Sequence, residues 1–185
     1  MRVAIAVVVL LLAGTVAPAA AGDDAGHDRK VALGGSLGVW FPTSDADDVA
    51  DASPAFRPSL TYWLHPAFGM TGAFDYVVVN EDENIPDITY YVFSVGGRLT
   101  LPGTSQVKPY GEALVGWHFE SSDLGDDDSI GFRFGGGVSY AFNAALLGSA
   151  GFSYSTTTLE FSGLGITVER DIAAWVLDLG IAARL

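Results

Sequence analysis

The sequence predicts an all-β protein: an eight-stranded antiparallel up-and-down transmembrane β-barrel. Three observations predict it. Period-two alternation runs through almost the whole chain beyond residue 30. The alternation is inside-out, with bulky apolar residues on one face and charges sharing the other with glycine and serine. The connections alternate strictly between short and long.

Residues 1–21 read as a signal peptide rather than as part of the fold. Met1-Arg2 gives a short positive start. Val3 to Gly14 is an aliphatic run, and Ala19-Ala20-Ala21 forms a small-residue cleavage site. The run is too short for a spanning helix, which needs roughly 20 residues. Export is therefore expected, followed by a short acidic periplasmic segment over residues 22–29 and a barrel domain over residues 30–185.

Eight strands follow in order: Lys30–Phe41, Phe56–Leu64, Gly69–Val79, Ile88–Leu101, Pro109–Phe119, Ile130–Phe142, Ala145–Leu159 and Ala173–Leu185. Most are longer than the roughly 5–6 residues of an ordinary strand. They suit the roughly 9–11 residues that a tilted membrane-crossing strand needs.

The faces separate cleanly. In the first strand Val31, Leu33, Leu37, Val39 and Phe41 oppose Ala32, Gly34, Ser36, Gly38 and Trp40. In the sixth, Ile130, Phe132, Phe134, Val138, Tyr140 and Phe142 oppose Gly131, Arg133, Gly135, Gly137, Ser139 and Ala141. In the last, Trp175, Leu177, Leu179, Ile181, Ala183 and Leu185 oppose Val176, Asp178, Gly180, Ala182 and Arg184. A soluble barrel would put its bulk inside and its charges outside. The reverse is expected where lipid is the outer solvent.

The same phase places Arg57, Asp75, Arg98, Glu112, Arg133, Asp178 and Arg184 on the small-residue face. The interior of a small eight-stranded barrel is just wide enough for side chains to fill it. Charges there must pair or be heavily penalised. A near-balanced set predicts a lumen charge network that acts as a salt-bridged plug. Glu112 and Asp75 as a catalytic acid/base pair is the weaker alternative, because structural ion pairs also bring carboxylates together.

The connections fall into two classes. His65–Phe68, Pro102–Lys108 and Asn143–Ala144 are short. Pro42–Ala55, Asn80–Asp87, Glu120–Ser129 and Glu160–Asp171 are long and hold sixteen of the 22 acidic residues. Short turns on one rim and longer acidic extracellular loops on the other are what up-and-down strands require. Aromatics gather near strand ends, where the outward ones would form two interfacial girdles. Trp40 and Trp63 fall on the inward phase and are expected to pack in the lumen.

Composition excludes several function classes. The chain has 185 residues, no cysteine and a formal net charge of −13. There is no thiol chemistry, and a nucleic-acid partner, which needs a basic surface, is not expected. A wide aqueous pore needs about 16–18 strands, which excludes a general porin. No cofactor is expected. The runs Asp45–Asp48, Glu81–Glu83 and Asp126–Asp128 offer hard oxygen ligands to divalent cations, but none has EF-hand spacing. Solvated, mutually repelling loops are the favoured reading, with weak divalent binding at most.

The chain resembles the small outer-membrane β-barrels of Gram-negative bacteria, the OmpA/OmpX-like and opacity-protein-like group. The carriers are the leader, the hairpin SVGGRLTLPGTSQVKPYGEALVGWHF around Gly96 to Phe119, FRFGGGVSYAF at Phe132 to Phe142, and the alternating last strand. That strand ends in Leu185 where the family pattern has an aromatic. The resemblance implies an outer-membrane location and lipid and lipopolysaccharide as surroundings. It also implies insertion by the barrel-assembly machinery, and a monomer is expected. Some barrels of this kind deacylate lipid A with a His/Ser pair supported by an acid. Here His118, Glu120 and Ser122 share an inward phase, away from a lipid substrate, so that enzyme reading is a minor alternative. The function expected is that of a non-enzymatic barrel with a structural or surface-interaction role and a charge-plugged lumen. A narrow cation-preferring channel is the main alternative.

Overall fold

The computed structural model describes residues 30–44, 52–79, 88–102, 105–122, 125–163 and 166–185. The predicted leader over residues 1–21 and the segment 22–29 lie outside these residues, as do the acidic runs 45–48 and 81–83.

Eight strands form: β1 (Val31–Ser44), β2 (Ser53–His65), β3 (Phe68–Val79), β4 (Ile88–Thr100), β5 (Val107–Ser122), β6 (Gly125–Ala141), β7 (Leu146–Gly163) and β8 (Ile166–Arg184). Each pairs antiparallel with its neighbour in sequence, and β8 returns to pair with β1 from Ala32↔Arg184 to Ser44↔Ile172. The sheet is a closed barrel, so no edge strand is left with unpaired backbone groups, as a lipid solvent demands. The seam is sealed at the turn end, where the Leu185 N–H donates to the Val31 carbonyl at 2.8 Å.

The short turns are held by side chains. Asn143 Oδ1 accepts from the N–H groups of Ala145 and Leu146, both at 2.8 Å, an Asx arrangement that mimics a backbone turn. His65 Nδ1 accepts from the Ala67 N–H at 3.2 Å, and Ser105 Oγ from the Val107 N–H at 3.2 Å.

The opposite rim corrects the expected loops. Glu120–Ser129 and Glu160–Asp171 are largely strand rather than loop. β5 and β6 stay paired out to Ser122↔Gly125, and β7 and β8 to Gly163↔Ile166. Charge density suggested loops, but in both places the two strands continue as a paired ribbon. β2 likewise starts earlier than expected, at Ser53. Among the described residues the register shifts between Trp63 and His65, where β2 meets the turn into β3.

The outward face is an apolar band. Phe93, Val95, Leu99, Trp117, Ile130, Phe132, Phe134, Leu177 and Leu179 are all exposed. Aromatics rim both ends of it. At the loop end, Trp117 stacks on Phe119 with centroids 5.9 Å apart, and Phe152 stacks on Trp175 at 4.6 Å. Trp117 Nε1 donates to Asp128 Oδ2 at 2.7 Å, which turns the polar edge of the ring toward the ribbon. At the turn end, Tyr140 packs on Phe142 at 5.0 Å, and its hydroxyl donates to Gln106 Oε1 at 3.0 Å. Trp117 pairs with Ile130, and Tyr140 lies farther along that same strand. At about 3.3 Å per residue and a tilt of roughly 40°, the girdles stand about 25 Å apart, the height of a bilayer's apolar band.

Candidate functional site

The interior is built in tiers, and the strand phase decides what enters each. At the loop end, Trp40, Ala55, Val77, Ile172, Ala174 and Val176 form a buried apolar cluster, with Tyr90 packed against it. Trp40 is 6% exposed and stacks on Tyr90 with centroids 5.8 Å apart. This plug joins β1, β2, β3, β4 and β8 across the lumen.

Below the plug lies the charge layer. Arg57 on β2 and Asp75 on β3 lie between the Phe56↔Tyr76 and Ser59↔Ala73 pairs, and Arg57 Nε stands 3.7 Å from Asp75 Oδ1. Arg57 Nη1 donates to Glu112 Oε1 at 2.9 Å. Arg133 Nη1 donates to Asp75 Oδ1 at 2.6 Å. The four side chains are at most one-tenth exposed and form one chain: Arg133, Asp75, Arg57, Glu112. Two cations and two carboxylates in a low-dielectric interior offset each other's desolvation, which neither sign does alone.

The other three inward charges stand apart from that chain. Arg98 is the register neighbour of Glu112, yet its guanidinium carbon lies 3.6 Å over the Tyr110 ring, a cation–π contact. Asp178 comes no closer than 4 Å to any cation among the described residues. Its carboxylate lies beside Gly151, the residue opposite it in register. Arg184 sits at the turn-end rim. Gly151 illustrates why the small-residue face is small: a Cβ there would stand 2.6 Å from the Tyr110 hydroxyl and 3.1 Å from Asp178 Oδ1.

Two cavities flank the layer. One, of about 40 Å³, lies toward the plug and is bordered by Asp75, Arg133, His118, Ser94 and Trp40. The other, about 790 Å³, runs from Arg57 and Glu112 down to the turn-end rim at His65, Gln106 and Asn143. This vestibule departs from the expectation of an interior filled by side chains. Its walls carry Gly34, Ser36, Ser59, Thr61, Gly148 and Ser149, which are too short to meet in the middle.

The candidate catalytic groups are also placed. His118 is 9% exposed and faces the lumen beside Gly131, where a Cβ would come within 2.6 Å of its Nε2. It stands behind the sheet from any lipid. Glu112 and Asp75 are each engaged by arginine. Among the described residues no group of three or more His, Asp or Glu side chains is placed to hold a metal. Sequence reasoning missed the vestibule, and of the apolar plug it placed only Trp40 in the lumen. The run of small inward residues on β1, β2 and β7 was the available signal for the first, and inward Trp40 with Val176 for the second.

The family model for the outer membrane protein beta-barrel domain matches residues 6–176. The chain belongs to that family. Its fold is shared with solved outer-membrane barrels. The neisserial surface protein NspA superposes with a TM-score of 0.69 at 18% identity, over 90% of this chain and 100% of that one. The outer membrane protein OprG of Pseudomonas aeruginosa gives 0.58 at 16% identity, over 87% and 98%. The N-terminal β-barrel domain of OprF from the same organism gives 0.58 at 13% identity, over 85% and 98%. No curated protein sequence matches the chain. At these identities the superpositions establish the barrel fold, and family membership sets the class of protein.

Proposed function

We propose that this outer-membrane barrel is a non-enzymatic integral protein of the bacterial outer membrane, structural or surface-interacting in role, with a lumen closed to steady ion flow. One observation carries the reading: the ion-paired layer and the apolar plug lie in series across the lumen. An ion entering from the turn end meets the Arg57–Glu112 pair and then the Trp40–Tyr90 stack. To pass, it must both break a buried ion pair and shed its water beside apolar side chains.

The surroundings fit that role. The outward band offers lipid an apolar surface of bilayer height. The acidic ribbons and loops carry the interaction surface for envelope partners, including lipopolysaccharide through shared weak divalent cations. His118, turned inward, supports the non-enzymatic reading over a lipid-modifying one.

The test is conductance of the refolded mature chain in planar bilayers, with folding verified by heat-modifiable gel migration. A folded barrel with no steady conductance is the expected result. Small cation-selective steps would overturn the closed-lumen reading. If substitution of Arg98 or Arg133 abolished them, the charge layer would be a gate.

A further inference from the structure

We infer that the turn-end vestibule is a binding pocket for a small oxyanion, a solute bearing a carboxylate or phosphate group, entered from the rim of the short turns.

Four observations carry this. The first is size. The vestibule holds about 790 Å³ and ends blind at the charge layer. Small-molecule sites run from roughly 300 to 1,000 Å³.

The second is charge. The whole chain is strongly acidic at −13, yet the vestibule reverses the sign. Lys30, Arg57, Arg98, Lys108 and Arg184 line it against Glu112 and Asp178. A concave site with low-dielectric walls focuses such a field and concentrates anions.

The third is that three of these cations are not consumed by ion pairs. Arg57 is paired with Glu112 and Asp75, but Lys30, Arg98 and Lys108 form no ion pair with a described residue. Arg98 is instead held in place by its stack on Tyr110 at 3.6 Å, which leaves the guanidinium edge for an acceptor. A fixed, planar guanidinium suits two-point recognition of a carboxylate or phosphate.

The fourth is a set of buried donors carried by residues that line the same space. Arg98 Nε, Trp63 Nε1 and Arg57 Nη2 have no acceptor among the described residues, although the Arg57 side chain is only 10% exposed. Donors that the fold leaves unmatched are costly unless something else accepts from them. An oxyanion supplies acceptors in the number required. Structural service alone would have paired these cations with carboxylates, and Arg57 shows that the lumen can do so.

The experiment is a titration of the refolded, isotope-labelled chain in detergent micelles with citrate and, separately, with inorganic phosphate. It follows the Trp63 indole and Arg98 Nε–H resonances. The expected result is saturating shifts at both, with the outward Trp117 and Trp175 indoles unmoved. Saturation by citrate alone assigns a carboxylate, and by phosphate alone a phosphoryl group. Arg98→Gln should raise the midpoint at least tenfold. Lys108→Gln, at the rim and away from the packed layer, should raise it several-fold with folding intact, and added NaCl should raise it as well. Asp178→Asn, which removes a like charge, should leave the midpoint unchanged or lower it. Shifts that grow linearly without saturating for both probes would overturn the proposal, as would equal shifts of Trp117 and Trp175. So would a midpoint indifferent to both Arg98→Gln and Lys108→Gln, or binding abolished by Asp178→Asn, which would mark a cation site.

Discussion

Arg133 on β6 reaches across the lumen to Asp75 on β3, its Nη1 donating to Oδ1 at 2.6 Å. The two strands are not neighbours in the sheet, so the bond is a strut across the barrel rather than a cross-strand pair. Asp75 Oδ1 also stands 3.7 Å from Arg57 Nε, so one carboxylate ties three walls of the barrel together.

Removing that carboxylate strands Arg133 and takes from Arg57 one of its two partners. Asp75→Ala should destabilise the folded barrel by about 3–5 kcal/mol, since breaking one side of a buried pair leaves an uncompensated charge. The double variant Asp75→Ala with Arg133→Leu should recover part of this loss. Urea-dependent folding into lipid vesicles measures both. A double variant no better than the sum of its singles would show that the two residues act independently.

The inside-out assignment has a direct consequence on the lipid face. Val95 and Val115 sit opposite each other on β4 and β5, 52% and 43% exposed. Val95→Arg should cost about 2–4 kcal/mol in a bilayer, the charge being forced toward hydrocarbon. The same titration on vesicles checks it. A cost near zero would place Val95 in water.

Two glycines on facing strands should answer differently to alanine. A Cβ at Gly96 would fall 2.0 Å from the Ala113 carbonyl oxygen, a backbone atom that cannot swing aside. At Gly111 the nearest atom is the Gly135 carbonyl oxygen at 3.8 Å. Gly96→Ala should cost about 1–3 kcal/mol by overpacking. Gly111→Ala should be close to neutral. Equal effects in the refolding assay would contradict the close approach of β4 and β5.

At the loop-end girdle, Trp117→Phe keeps the ring and loses the bond to Asp128. The expected cost is about 0.5–1.5 kcal/mol. Asp128→Asn, which keeps an acceptor, should cost less. If Trp117→Phe leaves the urea midpoint in place, that bond contributes nothing to the folded barrel.

Much of the fold was legible because a period-two pattern needs only neighbours in sequence. On β6, Phe132 and Phe134 alternate with Gly131, Arg133 and Gly135, and strand number, closure and inward phase follow from such runs. The inward position of Arg57, Asp75, Arg98, Glu112, Arg133, Asp178 and Arg184 was legible for the same reason. Strand ends were less so. Glu120 and Glu160 looked like loop residues because runs of charge mark exposure to water, and the backbone pairing that continues through them leaves no mark in the charge pattern.

The sequence by itself determined which way each residue faces and how many strands close the sheet. Only the tertiary structure decided which inward residues meet. Partner choice across the lumen depends on strand tilt and relative height, which alternation does not encode. Glu112 therefore pairs with Arg57 from across the barrel at 2.9 Å rather than with Arg98, its register neighbour. Arg98 turns to Tyr110 instead. The division of the lumen into plug, charge layer and basic vestibule has the same origin. It is set by the height at which each side chain arrives, and height is a property of the closed sheet.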